Sequence, residues 1–326
     1  MISTLAITIV AAAACSFGMR GLARRYSLVA DPNPIVPQHR EPVPYLGGLG
    51  VAGGILCGLL FSGYWPSSAI LVGAVGMLAI GLIDDLAPLE PKTKLLAQSL
   101  VTLFSIGLGL GLPLTGYFLI DHAIIFLLVI VWVNAVNLTD VCDGLVSSLV
   151  FISMLGLSAI DNFSSPLPLI VGSACLGFLI FNWPPASMYL GDSGSNFLGF
   201  LLAALTLEGL ARTGSPGASL GIVACSSVFI FEFVFLFLVR LSKGIPWWRG
   251  SPDHFSLRMQ AGPFTRTNTI LLSGLAGIAC AGAGWLASRA PSPLSFAILA
   301  LLPAAALLVS RWLLRWPVDA PNGDPR

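Results

Sequence analysis

The stretch FLIDHAIIFLLVIVWVNAVNLTDVCDGL, residues 118–145, decides the fold, because an apolar segment at 119–136 runs directly into a polar turn carrying Asn134, Asn137, Asp140 and Asp143. A helix that crosses a bilayer uses about 20 predominantly apolar residues. Outward from this stretch, segments of the same kind recur at 2–19, 46–63, 67–83, 95–111, 145–160, 167–182, 195–211, 218–239, 269–287 and 294–314, set apart by Gly, Pro and polar residues. The pattern predicts an all-α polytopic membrane protein with about 11 transmembrane helices. A count of 10 stays open, because 145–160 and 167–182 are short.

Composition agrees. The 326 residues are 56% hydrophobic and only 10% charged, with a mean hydropathy of +0.89. Soluble domains carry about 25% charged residues, so water-soluble, nucleic-acid-binding and disordered classes are excluded. Once the spans are subtracted, no separate globular domain fits, and residues 1–326 read as one integral-membrane domain ending in a polar tail, 315–326. The six cysteines lie singly, without CxxC or Cys/His metal spacing, and read as free thiols. Ile2–Met19 has no basic residue before it and reads as the first membrane helix, not a cleaved signal.

Charge placement orients the chain. With the N-terminus outside, 14 of the 16 Lys and Arg residues fall on inner segments, and only Arg212 and Arg289 fall outside. This positive-inside bias predicts a cytoplasmic C-terminus and would be scrambled by a miscounted helix. The inner loops, at about 20–45, 84–94, 137–144, 183–194 and 240–268, hold nearly all the other polar groups, so the active site is expected at the cytoplasmic membrane edge.

Four of these loops carry chemistry. In GLIDDLAPLEPKTK, Asp84 and Asp85 end the third span and Lys94 opens the fourth. Both placements oppose the helix dipole, which favours cations at C-termini and anions at N-termini, and paired carboxylates at a membrane edge are costly unless used. Asn134, Asn137, Asp140 and Asp143 recur every three residues and share one face if the helix persists. Asp143 alone would equally serve as an N-cap. In FNWPPASMYLGDSGS, Asp192 stands between glycines before the eighth span, where a backbone can approach a phosphate and a hard cation such as Mg²⁺ needs only one or two carboxylates. The last loop, RLSKGIPWWRGSPDHFSLRMQAGPFTRTN, places Arg249, His254 and Arg258 around a Pro-rich turn. It reads either as a positive-inside anchor with an aromatic belt or as a diphosphate clamp. Glu232, inside IFEFVF, is either functional or protonated and bonded to a neighbouring helix.

Taken together, these loops resemble the polyprenyl-phosphate N-acetylhexosamine-1-phosphate transferase family, in its undecaprenyl-phosphate GlcNAc-1-phosphate transferase-like branch. DPNPIVPQHREPVPYLGG, with His39, is similar to the family's first cytoplasmic loop, and the Asp84-Asp85 pair with Lys94, NAVNLTDVCDGL and FNWPPASMYLGDSGS match further motifs in order. The family's last loop has three histidines; here Ser256 and Leu257 stand where two of them would be, beside His254 and Arg258. That departure leans away from the phospho-MurNAc-pentapeptide transferase of peptidoglycan synthesis and towards a branch that initiates O-antigen, teichoic acid or another exported glycan.

The resemblance implies transfer of N-acetylhexosamine 1-phosphate from a UDP-sugar to undecaprenyl or another polyprenyl phosphate in the bacterial inner membrane, releasing UMP. It implies catalytic roles for Asp84, Asp85 and Asp192, with Mg²⁺ on Asp192 and Mn²⁺ as a substitute. Substrate contacts would come from Lys94, Asn134, Asn137, Asp140, Asp143, His254, Arg258 and His39. The partners expected are the UDP-sugar and membrane lipid, with no nucleic acid, and a homodimer is compatible with the sequence. The rival from another class is an ion-coupled transporter, against which stands the collection of polar groups at one membrane edge. A CDP-alcohol phosphotransferase lacks support because LVSSLV follows Asp143-Gly144.

Overall fold

The computed structural model describes residues 1–31, 41–111, 113, 115–160, 164–246 and 248–318. Among them it forms 13 helices: α1 (Ile2–Arg25), α2 (Gly47–Ser62), α3 (Ser68–Leu86), α4 (Pro91–Gly107), α5 (Phe118–Thr139), α6 (Leu145–Ile160), α7 (Leu167–Asn182), α8 (Gly191–Arg212), α9 (Pro216–Ala224), α10 (Ser227–Ser242), α11 (Phe255–Ala261), α12 (Arg266–Arg289) and α13 (Ser292–Leu313). A two-residue antiparallel ribbon, β1 (Val29–Ala30) with β2 (Val43–Pro44), lies between α1 and α2. The chain is an all-α, multi-pass membrane protein. Six helices, α1, α3, α5, α8, α12 and α13, are long and apolar enough to cross a membrane, and α2, α6 and α7 are shorter apolar helices.

Local signals set several helix starts. Ser67, Ser215 and Thr265 accept hydrogen bonds from the amides of Ile70, Ala218 and Asn268, satisfying N–H groups the helices cannot pair internally. Pro91 opens α4, where its missing N–H costs nothing.

Each apolar segment overlaps a helix, except that the ninth, 218–239, is two. α9 and α10 meet at 68° across Cys225 and Ser226. The break is held by side chains. Ser153 Oγ donates to the freed Cys225 carbonyl at 2.7 Å, and Trp132 Nε1 donates to Ser226 Oγ at 3.0 Å, so backbone polarity at the bend is satisfied inside the protein.

α8 is the central element. Of its most apolar 18-residue window, 83% is buried, against 6% for α13, whose Leu301, Leu307 and Leu308 face outward. Lipid is as apolar as leucine, so helices in a membrane associate by close packing at small residues. Accordingly α1 crosses α2 with Ala12 against Gly54 and Ser16 against Gly50, and α8 meets α5 with Gly199 against the Val133 backbone. α3 lies so near the start of α8 that a methyl group at Gly81 would stand 2.2 Å from the Asp192 carbonyl oxygen. This contact fixes the site.

Candidate active site

The ends of four helices, α3, α4, α5 and α8, converge on one cluster. α3 runs on to Leu86, so Asp84 and Asp85 are in its last turn; Lys94 is in the first turn of α4, and α8 begins at Gly191, which puts Asp192 in its first turn. Lys94 Nζ lies 2.8 Å from Asp84 Oδ2 and 2.7 Å from Asp192 Oδ1. Asp84 Oδ1 also accepts from the Leu89 amide at 2.7 Å, closing the α3–α4 turn. Asp85 accepts from the amides of Asp192 at 2.7 Å and Ser193 at 3.0 Å. The sequence's conflict with the helix dipole is thereby resolved: Asp85, at the wrong end of its own helix, caps the N-terminus of α8, where a carboxylate is favoured. Gly191 has φ +77° and leaves no room for a side chain, since a methyl group there would stand 2.7 Å from Asp85 Oδ2.

The four residues spaced by three do not share a face. α5 ends at Thr139, and Asp140 follows with φ −80° and ψ 50°, outside helical geometry. Asn137 Nδ2 donates to Asp192 Oδ1, and to Ser195 Oγ at 2.8 Å. Asn134 instead donates to Gln98 Oε1 at 3.1 Å, and Gln98 donates to Asn196 Oδ1 at 3.2 Å, forming an amide chain between α4, α5 and α8. Asp143 is buried, with its Oδ2 2.7 Å from Arg266 Nη1 and 3.1 Å from the Ala186 amide. Asp140 has no hydrogen bond or ion pair to its carboxylate among the described residues.

A cavity of about 380 Å³ opens at this end, lined by Asn137, Asp140, Asp143, Tyr189 and Asp192, with Asp31 and Tyr45 from the first loop. Its electrostatics are unbalanced. Burial first, then the carboxylates of Asp192, Asp85 and Asp143, raises the Asp140 carboxyl well above the usual range. Burial, with Asp143 and Asp140 adding, pushes the Tyr189 hydroxyl up to about 12. An additional cation in the cavity would relieve both effects.

The donor set suits a hard cation bound partly by substrate. Among the described residues no three His, Cys, Asp or Glu side chains form a metal cage. Mg²⁺ does not require one, since one or two carboxylates with phosphate oxygens and water suffice. Asp192, whose side chain is 34% exposed, and the unpartnered Asp140 are carboxylates of that kind.

The last loop forms a second cluster, and neither His254 nor Arg258 lines the cavity. Arg258 is 2% exposed, with Nη2 2.5 Å from Asp253 Oδ1 and Nη1 donating to the Trp316 carbonyl at 3.1 Å. Asp253 also holds Lys243 at 2.7 Å. His254 Nδ1 lies 2.7 Å from Glu232 Oε1. Ser256 and Leu257 are buried. His39 lies outside the described residues.

Three participants were not singled out from sequence. Arg266 stood only as an inner-side charge, yet it neutralises Asp143. Asn182 accepts from the Gly144 amide at 2.9 Å and donates to the Met188 carbonyl at 3.0 Å, tying the turn after α5 to the loop before α8. Tyr189 lines the cavity. The signal for the last two was present in FNWPPASMYLGDSGS, whose polar and aromatic members flank the aspartate.

The fold and cluster define a polytopic membrane protein with a carboxylate-lined cavity where its helix ends meet. Residues 67–210, from α3 through α8, match the family model of glycosyl transferase family 4. A probable undecaprenyl-phosphate N-acetylglucosaminyl 1-phosphate transferase of Bacillus subtilis is 30% identical over 259 residues, covering 73% of this chain and 72% of the relative. The chain belongs to glycosyl transferase family 4. A decaprenyl-phosphate N-acetylglucosaminephosphotransferase of Mycobacterium tuberculosis is 29% identical, covering 68% of this chain and 64% of the relative. A phospho-N-acetylmuramoyl-pentapeptide-transferase of Heliobacterium modesticaldum is 28% identical, covering 73% and 81%.

Proposed function

We propose that this chain transfers an N-acetylhexosamine 1-phosphate, GlcNAc-1-phosphate or a related amino sugar, from its UDP donor to a polyprenyl phosphate. It works at the cytoplasmic edge of the bacterial inner membrane, releases UMP and initiates an exported lipid-linked glycan. The observation that carries this reading is Asp192, held between Lys94 and Asn137 at a cavity into which Asp140 brings an unpartnered carboxylate. A water-soluble diphosphate brought in with a cation would meet both needs, and a lipid acceptor reaches a membrane-edge site by lateral diffusion. The names of the transferases that this chain resembles add support.

Asp192 is the carboxylate for Mg²⁺, which when bound neutralises the donor diphosphate and the leaving UMP. Lys94 orients Asp192 and offers its ammonium to phosphate. Asn137, Asp140 and Asp143 serve the nucleotide side. An acceptor phosphate oxygen bonds to the donor's β-phosphorus while the bond to the bridging oxygen breaks, and UMP leaves with that oxygen. A phosphate monoester has a second pKa of about 6, so the acceptor is already largely dianionic and needs no strong base. Asp84 and Asp85 then act by position, Asp84 on Lys94 and Asp85 on the amides of α8.

The pentapeptide-transferase reading has less support, because Ser256 and Leu257 replace two histidines of the last loop. The test is UMP release by purified protein in detergent with Mg²⁺, undecaprenyl phosphate and, in turn, UDP-GlcNAc, UDP-GalNAc and UDP-MurNAc-pentapeptide. Release that needs both lipid and metal, and is abolished in Asp192→Asn at any Mg²⁺ concentration, is expected. A fully active Asp192→Asn would remove Asp192 from the metal site, and silence with every donor would overturn the transferase reading.

A further inference from the structure

Glu232 and His254 are 22 residues apart in sequence, and both are buried, at 0% and 5% exposure. The 68° bend between α9 and α10 directs α10 so that Glu232 meets the N-terminus of α11. There its two oxygens divide their work: Oε1 lies 2.7 Å from His254 Nδ1, and Oε2 accepts from the Phe255 amide at 3.1 Å. An amide can only donate. Its partner is therefore an acceptor, and an ionised carboxylate offers acceptors at both oxygens. Arg240, 4% exposed, lies within electrostatic range of Glu232 and supports the buried negative charge. The carboxylate thus faces an imidazole, a backbone amide and a guanidinium.

We infer that Glu232 is a positioning residue that holds the proton of His254 on Nδ1 and leaves Nε2 as the ring nitrogen for a further contact. The choice of tautomer follows from the partner, since a ring nitrogen facing an ionised carboxylate must carry hydrogen. With Nδ1 so committed, the ring can donate from Nε2 to a phosphate only as the imidazolium, the charge-assisted and stronger form of that contact. The segment after His254 returns to the cavity. Gln260 Nε2 lies 3.5 Å from Cys142 Sγ, and Arg266 pairs with Asp143. The pair that fixes His254 thus also anchors the start of the segment that braces the turn carrying Asp140. The assignment of Nε2 to a phosphate rests on the proposed transferase function; the assignment of the tautomer does not.

The chain has only three histidines, so ¹⁵N-histidine labelling gives a readable spectrum, with the His254 signals identified by their absence from His254→Gln. In the wild-type protein, Nδ1 of His254 should report as protonated. Glu232→Gln keeps shape and can still accept from Phe255, but its amide donates to Nδ1 and reverses the tautomer. UMP release should then fall roughly ten- to a hundredfold, the worth of a hydrogen bond to a charged group. An unprotonated Nδ1 in the wild type overturns the inference without recourse to any variant. A reversed tautomer with unchanged turnover overturns the role assigned to it. If the wild type releases no UMP with any donor, the transferase reading fails while the tautomer measurement still decides the Glu232–His254 relationship.

Discussion

The backbone amide of Asp192 donates to Asp85 Oδ1 at 2.7 Å, joining the last turn of α3 to the first turn of α8. Ser193 adds a second bond to the same carboxylate at 3.0 Å. Asp85→Ala would leave both amides without this acceptor. Each buried donor left unsatisfied costs about 1–3 kcal/mol, so a thermal melt in detergent should show a clear loss of stability alongside lost turnover. An unchanged melting temperature would contradict this bracing role.

Lys94 separates two carboxylates, at 2.8 Å from Asp84 and 2.7 Å from Asp192. Lys94→Met should reduce UMP release by about a hundredfold or more, comparable with the loss of one preorganised donor in other active sites. Lys94→Arg should restore little, because a planar guanidinium does not replace a compact ammonium between two partners. Near-normal kinetics in either variant would remove Lys94 from the chemistry.

Asp140 sets a pH dependence. Burial, and then Asp192, Asp85 and Asp143, holds its folded-state pKa well above the usual value. Between the unfolded pKa, about 3.9, and the raised folded one, the native state binds more protons than the unfolded state. The stability contribution of this group therefore declines as pH rises through that window. A cation in the cavity favours the carboxylate, so Mg²⁺ binding should release a proton and tighten as pH rises through the raised pKa. Calorimetry in buffers of different ionisation enthalpy measures that proton; Asp140→Asn should abolish its release.

Arg258 distinguishes packing from substrate contact. It is buried and paired with Asp253, which also holds Lys243. Burial raises the Asp253 carboxyl, but the bonds and charges of Lys243 and Arg258 outweigh that and hold it below the ordinary range. Arg258→Met breaks a buried pair at a cost of about 3–5 kcal/mol. The folded fraction should keep its KM for the UDP-sugar. A large rise in KM with unchanged thermal stability would instead make Arg258 a phosphate contact.

Hydropathy located the helices because lipid exposure leaves an unbroken apolar record, and every apolar segment overlaps a helix. It missed the bend at Cys225 and Ser226, since the groups that satisfy it, Ser153 and Trp132, come from other helices. Asp84, Asp85, Lys94, Asn137 and Asp192 were legible as a group because their motifs sit at helix ends, and the structure joins them. Regular spacing misled for Asn134, which joins an amide chain and does not line the cavity. Periodicity carries no notice that α5 stops at Thr139, yet Asn137, Asp140 and Asp143 still line one cavity, Asp143 paired with Arg266. Glu232 looked like an isolated intramembrane charge because its partner lies beyond the bend, in the following loop.

The fate of the donor's two phosphates distinguishes sugar-phosphate transfer from sugar transfer directly. UDP-GlcNAc, or whichever UDP-amino sugar supports turnover, carries distinguishable labels on its α- and β-phosphorus and is incubated with the purified protein, Mg²⁺ and undecaprenyl phosphate. The β-label should enter the lipid fraction with the sugar while the α-label remains in UMP. Both labels leaving together as UDP would contradict sugar-phosphate transfer and make the reaction a simple glycosyl transfer.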